Sequence, residues 1–316
     1  MMSLLIVAAF VAAAQAATPV ERQLTAPGPL GSLAGTLIDA GKRAPVMIII
    51  PGSGPTDRDG NSPLGVTAAA YRLLAEGLAE RGITTVRIDK RGMFGSKAAV
   101  ANGNDVTIAA YAADAHAWAK AARAATGAKC VWLLGHSEGS LVALAAAQDP
   151  RDLCGVVSVS GMGRKSGDVI RDQLKFNPAN ATILAPALAT LDSLEKGQRV
   201  NSKTLPAPLQ GLFSDSVQPY LMNLMAQDPA RLAATLKLPL LIVQGDRDLQ
   251  VKVADARALA AAQPKAKLVI LPAVNHVLKI VASDSPAANF ATYGDPSLPI
   301  APGVVDAIAG FLTKRR

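Results

Sequence analysis

Aromatic rings are scarce in this chain. Phe, Trp and Tyr make up 4% of its 316 residues, too few for the stacked platforms that carry single-stranded nucleic acid. It has three histidines and two cysteines, and no cluster of His, Cys and carboxylates has metal-ligand spacing. Charge is missing from the start: the first charged side chain is Glu21. Basic residues exceed acidic ones, 32 against 24, for a net charge of +8. They are scattered, with local knots only at residues 87–91 and 314–316. Without a basic stripe to track a phosphate backbone, nucleic acid is excluded as a partner. The charge describes a solvated surface that at most favours anionic surroundings.

Half of the residues are apolar, which permits a large core and argues against general disorder. Ahead of Glu21 lies an apolar run, residues 4–14, ending in Ala14-Gln15-Ala16 and then Ala17. This pattern reads as a signal peptide over residues 1–16, cleaved after Ala16, and is too short to span a bilayer. The opening Met1-Met2-Ser3 lacks the usual basic residue, and no Cys follows to take a lipid. The expectation is a secreted or periplasmic protein with no stable membrane anchor after cleavage. The alternative is a buried N-terminal helix or strand.

Beyond the leader, strand patterns at 30–39, 45–50, 83–88, 131–134, 156–159, 238–243 and 267–271 alternate with helical ones at 67–81, 107–126, 140–148, 253–262 and 304–313. Such alternation predicts a mostly parallel sheet with helices on both faces. Between Gly161 and Leu236 the chain is helical, polar and proline-rich, with no strand signal. The expected division is a core of residues 17–160 and 237–316, interrupted by a helical cap or lid, 161–236, at the ligand-binding edge. Cys130 and Cys154 each open an apolar run read as neighbouring strands. Equivalent ends of such strands lie about 5 Å apart, within reach of a disulfide. Export favours the bond; two buried thiols are the alternative.

The strongest chemical signal is Gly135-His136-Ser137-Glu138-Gly139, between a strand and a helix. A sharp turn there strains the backbone and lifts the serine hydroxyl free, while the glycines let strand and helix approach. A hydroxyl needs a base to become nucleophilic at neutral pH. Of the three histidines, His136 adjoins the serine and is expected to point elsewhere, and His116 lies inside the helix 107–126. His276, in a loop after the strand 267–271, is the base by elimination and position. The imidazole needs a carboxylate on its other nitrogen, and Gly245-Asp246-Arg247-Asp248 supplies two at the same sheet edge. Asp248 is preferred because it leaves the loop room to turn back; Asp246 is the second choice, better suited to binding local backbone. An oxyanion hole requires preorganised N–H donors. The expected donors are the backbone of Glu138, after the nucleophile, and of Ser53, in the turn Pro51-Gly52-Ser53-Gly54-Pro55. The charged runs Asp57-Arg58-Asp59-Gly60-Asn61 and Asp89-Lys90-Arg91-Gly92 either brace these loops or bind substrate.

In their joint order these motifs, with Asn275-His276, resemble the EstD-like bacterial carboxylesterases of the α/β-hydrolase superfamily, near the serine aminopeptidase S33 group. The likeness covers most of the mature chain except 161–236. It implies an α/β-hydrolase fold, a triad of Ser137, Asp248 and His276, an oxyanion donor at Ser53, and ester hydrolysis without a cofactor or metal. Phe94 stands where the family carries glycine. The insertion would be a lid that sets substrate choice. The expected activity is hydrolysis of small carboxylic esters through an acyl-enzyme. The alternatives are an aminopeptidase or amidase with the same triad, and a non-catalytic binding protein of this fold.

Overall fold

The computed structural model describes residues 20–314, so the expected signal peptide and its cleavage site lie outside the described residues. Eight strands form one sheet: β1 (Glu21–Ala26), β2 (Leu33–Ile38), β3 (Val46–Ile50), β4 (Thr84–Ile88), β5 (Val131–His136), β6 (Leu153–Val159), β7 (Leu240–Gly245) and β8 (Lys267–Leu271). Their order across the sheet is β1-β2-β4-β3-β5-β6-β7-β8. β1 and β2 run antiparallel to their neighbours, and every pairing from β4 to β8 is parallel.

All five side chains of β3 are buried, as a central parallel strand covered on both faces requires. Ile48 and Ile50 face one core, with Trp118 and Val142. Met47 and Ile49 face the other, with Leu74, Leu78 and Phe311. The first layer is built by α2 (Ile108–Thr126), α3 (Glu138–Ala146) and α9 (Val253–Ala262), and the second by α1 (Ala70–Glu80) and α11 (Pro302–Thr313). The start of α2 is capped by Thr107, whose hydroxyl accepts from Ala110 N–H at 3.0 Å. Its end is closed by Gly127 at φ 74°, a left-handed conformation that costs glycine least.

Between β6 and β7 come α4 (Ser166–Phe176), α5 (Leu184–Glu195), α6 (Ala207–Leu212), α7 (Gln218–Met225) and α8 (Pro229–Ala234). Leu191, Leu194, Leu209, Phe213 and Met225 give this insertion a small core of its own. It is tied to the main body by Arg164 on Asp255 at 2.9 Å and by Asn223, which accepts from Ile108 N–H at 2.9 Å. A last short helix, α10 (Pro286–Ala291), precedes α11.

Two local expectations change. β1 was absent from the sequence pattern: it is a mostly exposed edge strand, so alternation has little to reveal. The first helix starts at Ala70 instead of Thr67, because Ala69 sits at φ 49° and the Thr67 hydroxyl donates to Gly294 O. Phe94, where the family has glycine, takes φ 43°, the region glycine favours.

Cys130 and Cys154 form a disulfide between the starts of adjacent strands, with their Cα atoms 5.3 Å apart. The bond closes a loop with a sequence separation of 24. Replacing both cysteines by serine is expected to lower unfolding free energy by about 3 kcal/mol in urea titrations. Equal midpoints with and without the bond would remove it from the list of stabilising contacts.

Candidate active site

The parallel strands β3, β5, β6, β7 and β8 all end at one edge of the sheet, where loops must turn back into helices. Ser137 occupies the turn between β5 and α3 at φ 54°, ψ −121°. A non-glycine residue is rarely found there, and such strain is characteristic of a nucleophile elbow. The turn persists because the residues two positions either side of Ser137 are glycines. A Cβ on Gly139 would collide with the carbonyls of Ile50 and Pro51, and one on Gly135 with the carbonyl of Gly139. Ser137 N–H is meanwhile held by Val159 O at 3.0 Å.

His276 lies in the loop after β8 and Asp248 in the loop after β7. His276 Nδ1 and Asp248 Oδ2 are 2.8 Å apart, with both residues buried. The other carboxylate oxygen accepts from Gln250 N–H at 2.8 Å and Val251 N–H at 2.9 Å. Burial pushes the Asp248 carboxyl up, but the charge and hydrogen bond of His276, with the two backbone donors, outweigh it and hold the group below its ordinary value. Asp246 plays a different part: it accepts from Ala273 N–H at 2.7 Å and pins the two loops together. Ser137 and His276 line the same cavity of about 240 Å³. No hydrogen bond joins their side chains among the described residues, as is common before substrate enters.

Ser53 lines this cavity too, whereas Gly52 N–H is taken by the Tyr71 hydroxyl at 3.0 Å. Glu138 N–H is the first of α3, where helical donors have no partner within the helix. The run 57–61 braces this region. Asp57 Oδ1 accepts from the N–H groups of Asp59 and Asn61, Arg58 pairs with Asp89 at 2.5 Å, and Asp59 pairs with the buried Arg87. Arg91 is bound by Asp114, so it braces as well.

One expectation is corrected here. His136 does not point away from the site: its ring lies 4.7 Å from that of His276 and lines the cavity. The carbonyl of His276, 2.8 Å from Nε2, can only accept, so Nε2 carries the proton. Nδ1 then accepts from the Tyr71 hydroxyl at 2.8 Å. A chain of hydrogen bonds thus runs from the His276 backbone through His136 and Tyr71 to Gly52. Sequence reasoning passed over Tyr71 and set His136 aside; a histidine ending a buried strand, which needs two polar partners, was the available signal.

The cavity walls come from the segment 52–71 and from Gln250, Val277 and Tyr293. No residue of the insertion is among the described residues that line this cavity, but the insertion packs close to the nucleophile turn. Tyr220 meets Tyr111 edge-on at 6.3 Å, and burial, then the Glu138 charge, raises its hydroxyl well above the usual range.

Burial first, and the neighbouring His276 second, push His136 down to about 3 from an ordinary 6.5. The unfolded chain takes up this proton below pH 6.5 while the folded one refuses it until about 3. Stability is therefore complete above the unfolded value and falls as pH drops through that window, by at most about 1.4 kcal/mol per pH unit from this group. His136→Gln is expected to flatten the pH dependence of urea unfolding across that range. An unchanged slope would contradict a neutral His136.

The sequence matches the family described as serine aminopeptidase, S33, over residues 64–279. Esterase EstD of Thermotoga maritima is 26% identical over 298 residues, covering 93% of this chain and 68% of that protein. An esterase structure from Pyrococcus furiosus superposes with a TM-score of 0.58 at 17% identity, over 94% of this chain and 91% of that one. The α/β-hydrolase GrgF of a Penicillium species gives a TM-score of 0.57 at 21% identity, over 81% and 91%. The family match takes in more than half of the chain, and the protein belongs to the serine aminopeptidase S33 family, built on the α/β-hydrolase fold.

Proposed function

We propose that the protein is a carboxylesterase that cleaves small esters by two-step acyl transfer through Ser137. The observation that carries this reading is the 2.8 Å contact of His276 with Asp248 beside a strained Ser137 on one cavity wall. The likeness to an esterase over 93% of the chain supports it. His276 Nε2 takes the Ser137 proton as Oγ bonds to the ester carbonyl carbon. The carbonyl electron pair moves to oxygen, which the N–H groups of Ser53 and Glu138 stabilise. Collapse breaks the bond to the alcohol oxygen, which leaves with the proton from His276. Water then attacks the acyl-enzyme, His276 removes its proton, and a second collapse frees the acid and restores Ser137.

Cavity chemistry favours esters over aminopeptide substrates. Its lining includes Leu64, Val66, Ala70, Val277 and Tyr293 but no carboxylate among the described residues, so a free α-ammonium would be desolvated without a partner. At about 240 Å³ it is smaller than most drug-sized sites, which suits short acyl groups. The segment 161–236 is assigned as a cap, and residues 1–16 as an export signal; a disulfide accords with an oxidising compartment.

With p-nitrophenyl acetate as substrate, Ser137→Ala is expected to lower kcat by about a millionfold and Asp248→Asn by about ten-thousandfold. Rates equal to wild type in Ser137→Ala would end the acyl-enzyme reading. Faster turnover of an aminoacyl anilide than of the ester would move the assignment to aminopeptidase.

A further inference from the structure

The Gly52 carbonyl and the Ser53 N–H belong to one peptide unit, and a planar trans peptide points them in opposite directions. Whatever grips the carbonyl therefore aims the N–H. Lys90, just past the end of β4, donates from Nζ to Gly52 O at 2.5 Å. The same ammonium lies 3.2 Å from Glu138 Oε1, and the two side chains are only 3% and 1% exposed. It also sits 5.3 Å over the Tyr111 ring. Glu138 is the residue whose own N–H follows the nucleophile. One buried ion pair thus touches the peptide of one expected oxyanion donor and belongs, through Glu138, to the other.

We propose that Lys90 and Glu138 are positioning residues that set the oxyanion hole, by clamping the Gly52–Ser53 peptide from its carbonyl side to the first turn of α3. The proposal rests on the esterase reading above. One further consideration favours it over a plain structural role. A buried ion pair is seldom better for stability than apolar residues of the same volume, because desolvation offsets the attraction. The preceding peptide, Pro51–Gly52, is held as well, since Gly52 N–H donates to the Tyr71 hydroxyl. With Lys90 removed, the carbonyl loses its anchor and the Ser53 N–H is free to turn out of the cavity.

The test uses three variants of the full chain: Lys90→Met, Glu138→Gln, and the double variant, which leaves no buried charge unpaired. Each is assayed for kcat and KM on p-nitrophenyl acetate. Affinity is measured for a trifluoromethyl ketone, which adds to the serine and presents a tetrahedral oxyanion. Loss of one oxyanion donor costs about a hundredfold or more, so Lys90→Met and the double variant should lose about that factor in kcat. KM should stay within about threefold, and inhibitor affinity should fall in parallel with kcat. A purely structural defect would not separate these quantities. A folded double variant with wild-type kcat and inhibitor affinity overturns the proposal, and so does failure of all three variants to fold, which would make the pair scaffolding. Failure of the esterase reading looks different: the wild type itself would then resist a fluorophosphonate probe.

Discussion

The close approach of β3, β5 and α3 at the sheet edge is the constraint on which the site depends. Gly139 packs against the carbonyls of Ile50 and Pro51 with no space for a Cβ. That contact keeps the end of β3 against the first turn of α3, and so keeps the Gly52–Ser53 loop beside Ser137. A methyl group there would separate the two backbones. The strained φ of Ser137 is held by the same contact, because the chain must leave β5 and enter α3 within one residue. Strain of this kind persists only where the surroundings over-determine it.

Around that contact the polar groups are satisfied largely by backbone. Asp248 takes two main-chain donors as well as His276, and His136 spans a main-chain carbonyl and the Tyr71 hydroxyl. Backbone partners move little, so they orient side chains at small entropic cost. They also connect loops that are remote in sequence. The base loop after β8 and the turn after β3 are joined through His136 and Tyr71, residues from a strand and a helix that pass between them.

Much of the architecture was legible because periodicity reports burial. β3 to β8 are runs of five to seven mostly apolar or β-branched residues with turn residues nearby, and the insertion stood out as a stretch without any such run. β1 escaped notice because an exposed edge strand has no buried face to mark it. Ala69 escaped because its left-handed backbone is set by contacts of the following helix and the loop around 292–294, which no local pattern encodes. At the site, Ser137 was marked by flanking glycines and His276 by the shortage of other histidines. Between Asp246 and Asp248, loop length gave only a preference. The hydrogen bond from His276 Nδ1 to Asp248, and that from Ala273 N–H to Asp246, separate their parts.

Local spacing alone determined the strand-turn-helix at Ser137, the alternation of strands and helices, and the place where that alternation stops. These follow from bonds between near neighbours and from which face of an element must be dry. Tertiary structure alone decided that His136 lies against His276, that Lys90 reaches Gly52 and Glu138, and that residues of the segment 52–71 wall the cavity together with Gln250, Val277 and Tyr293. Each of these joins residues far apart in the chain, and their meeting depends on strand order across the sheet. Strand order is a property of the whole packed core, and no stretch of sequence carries it.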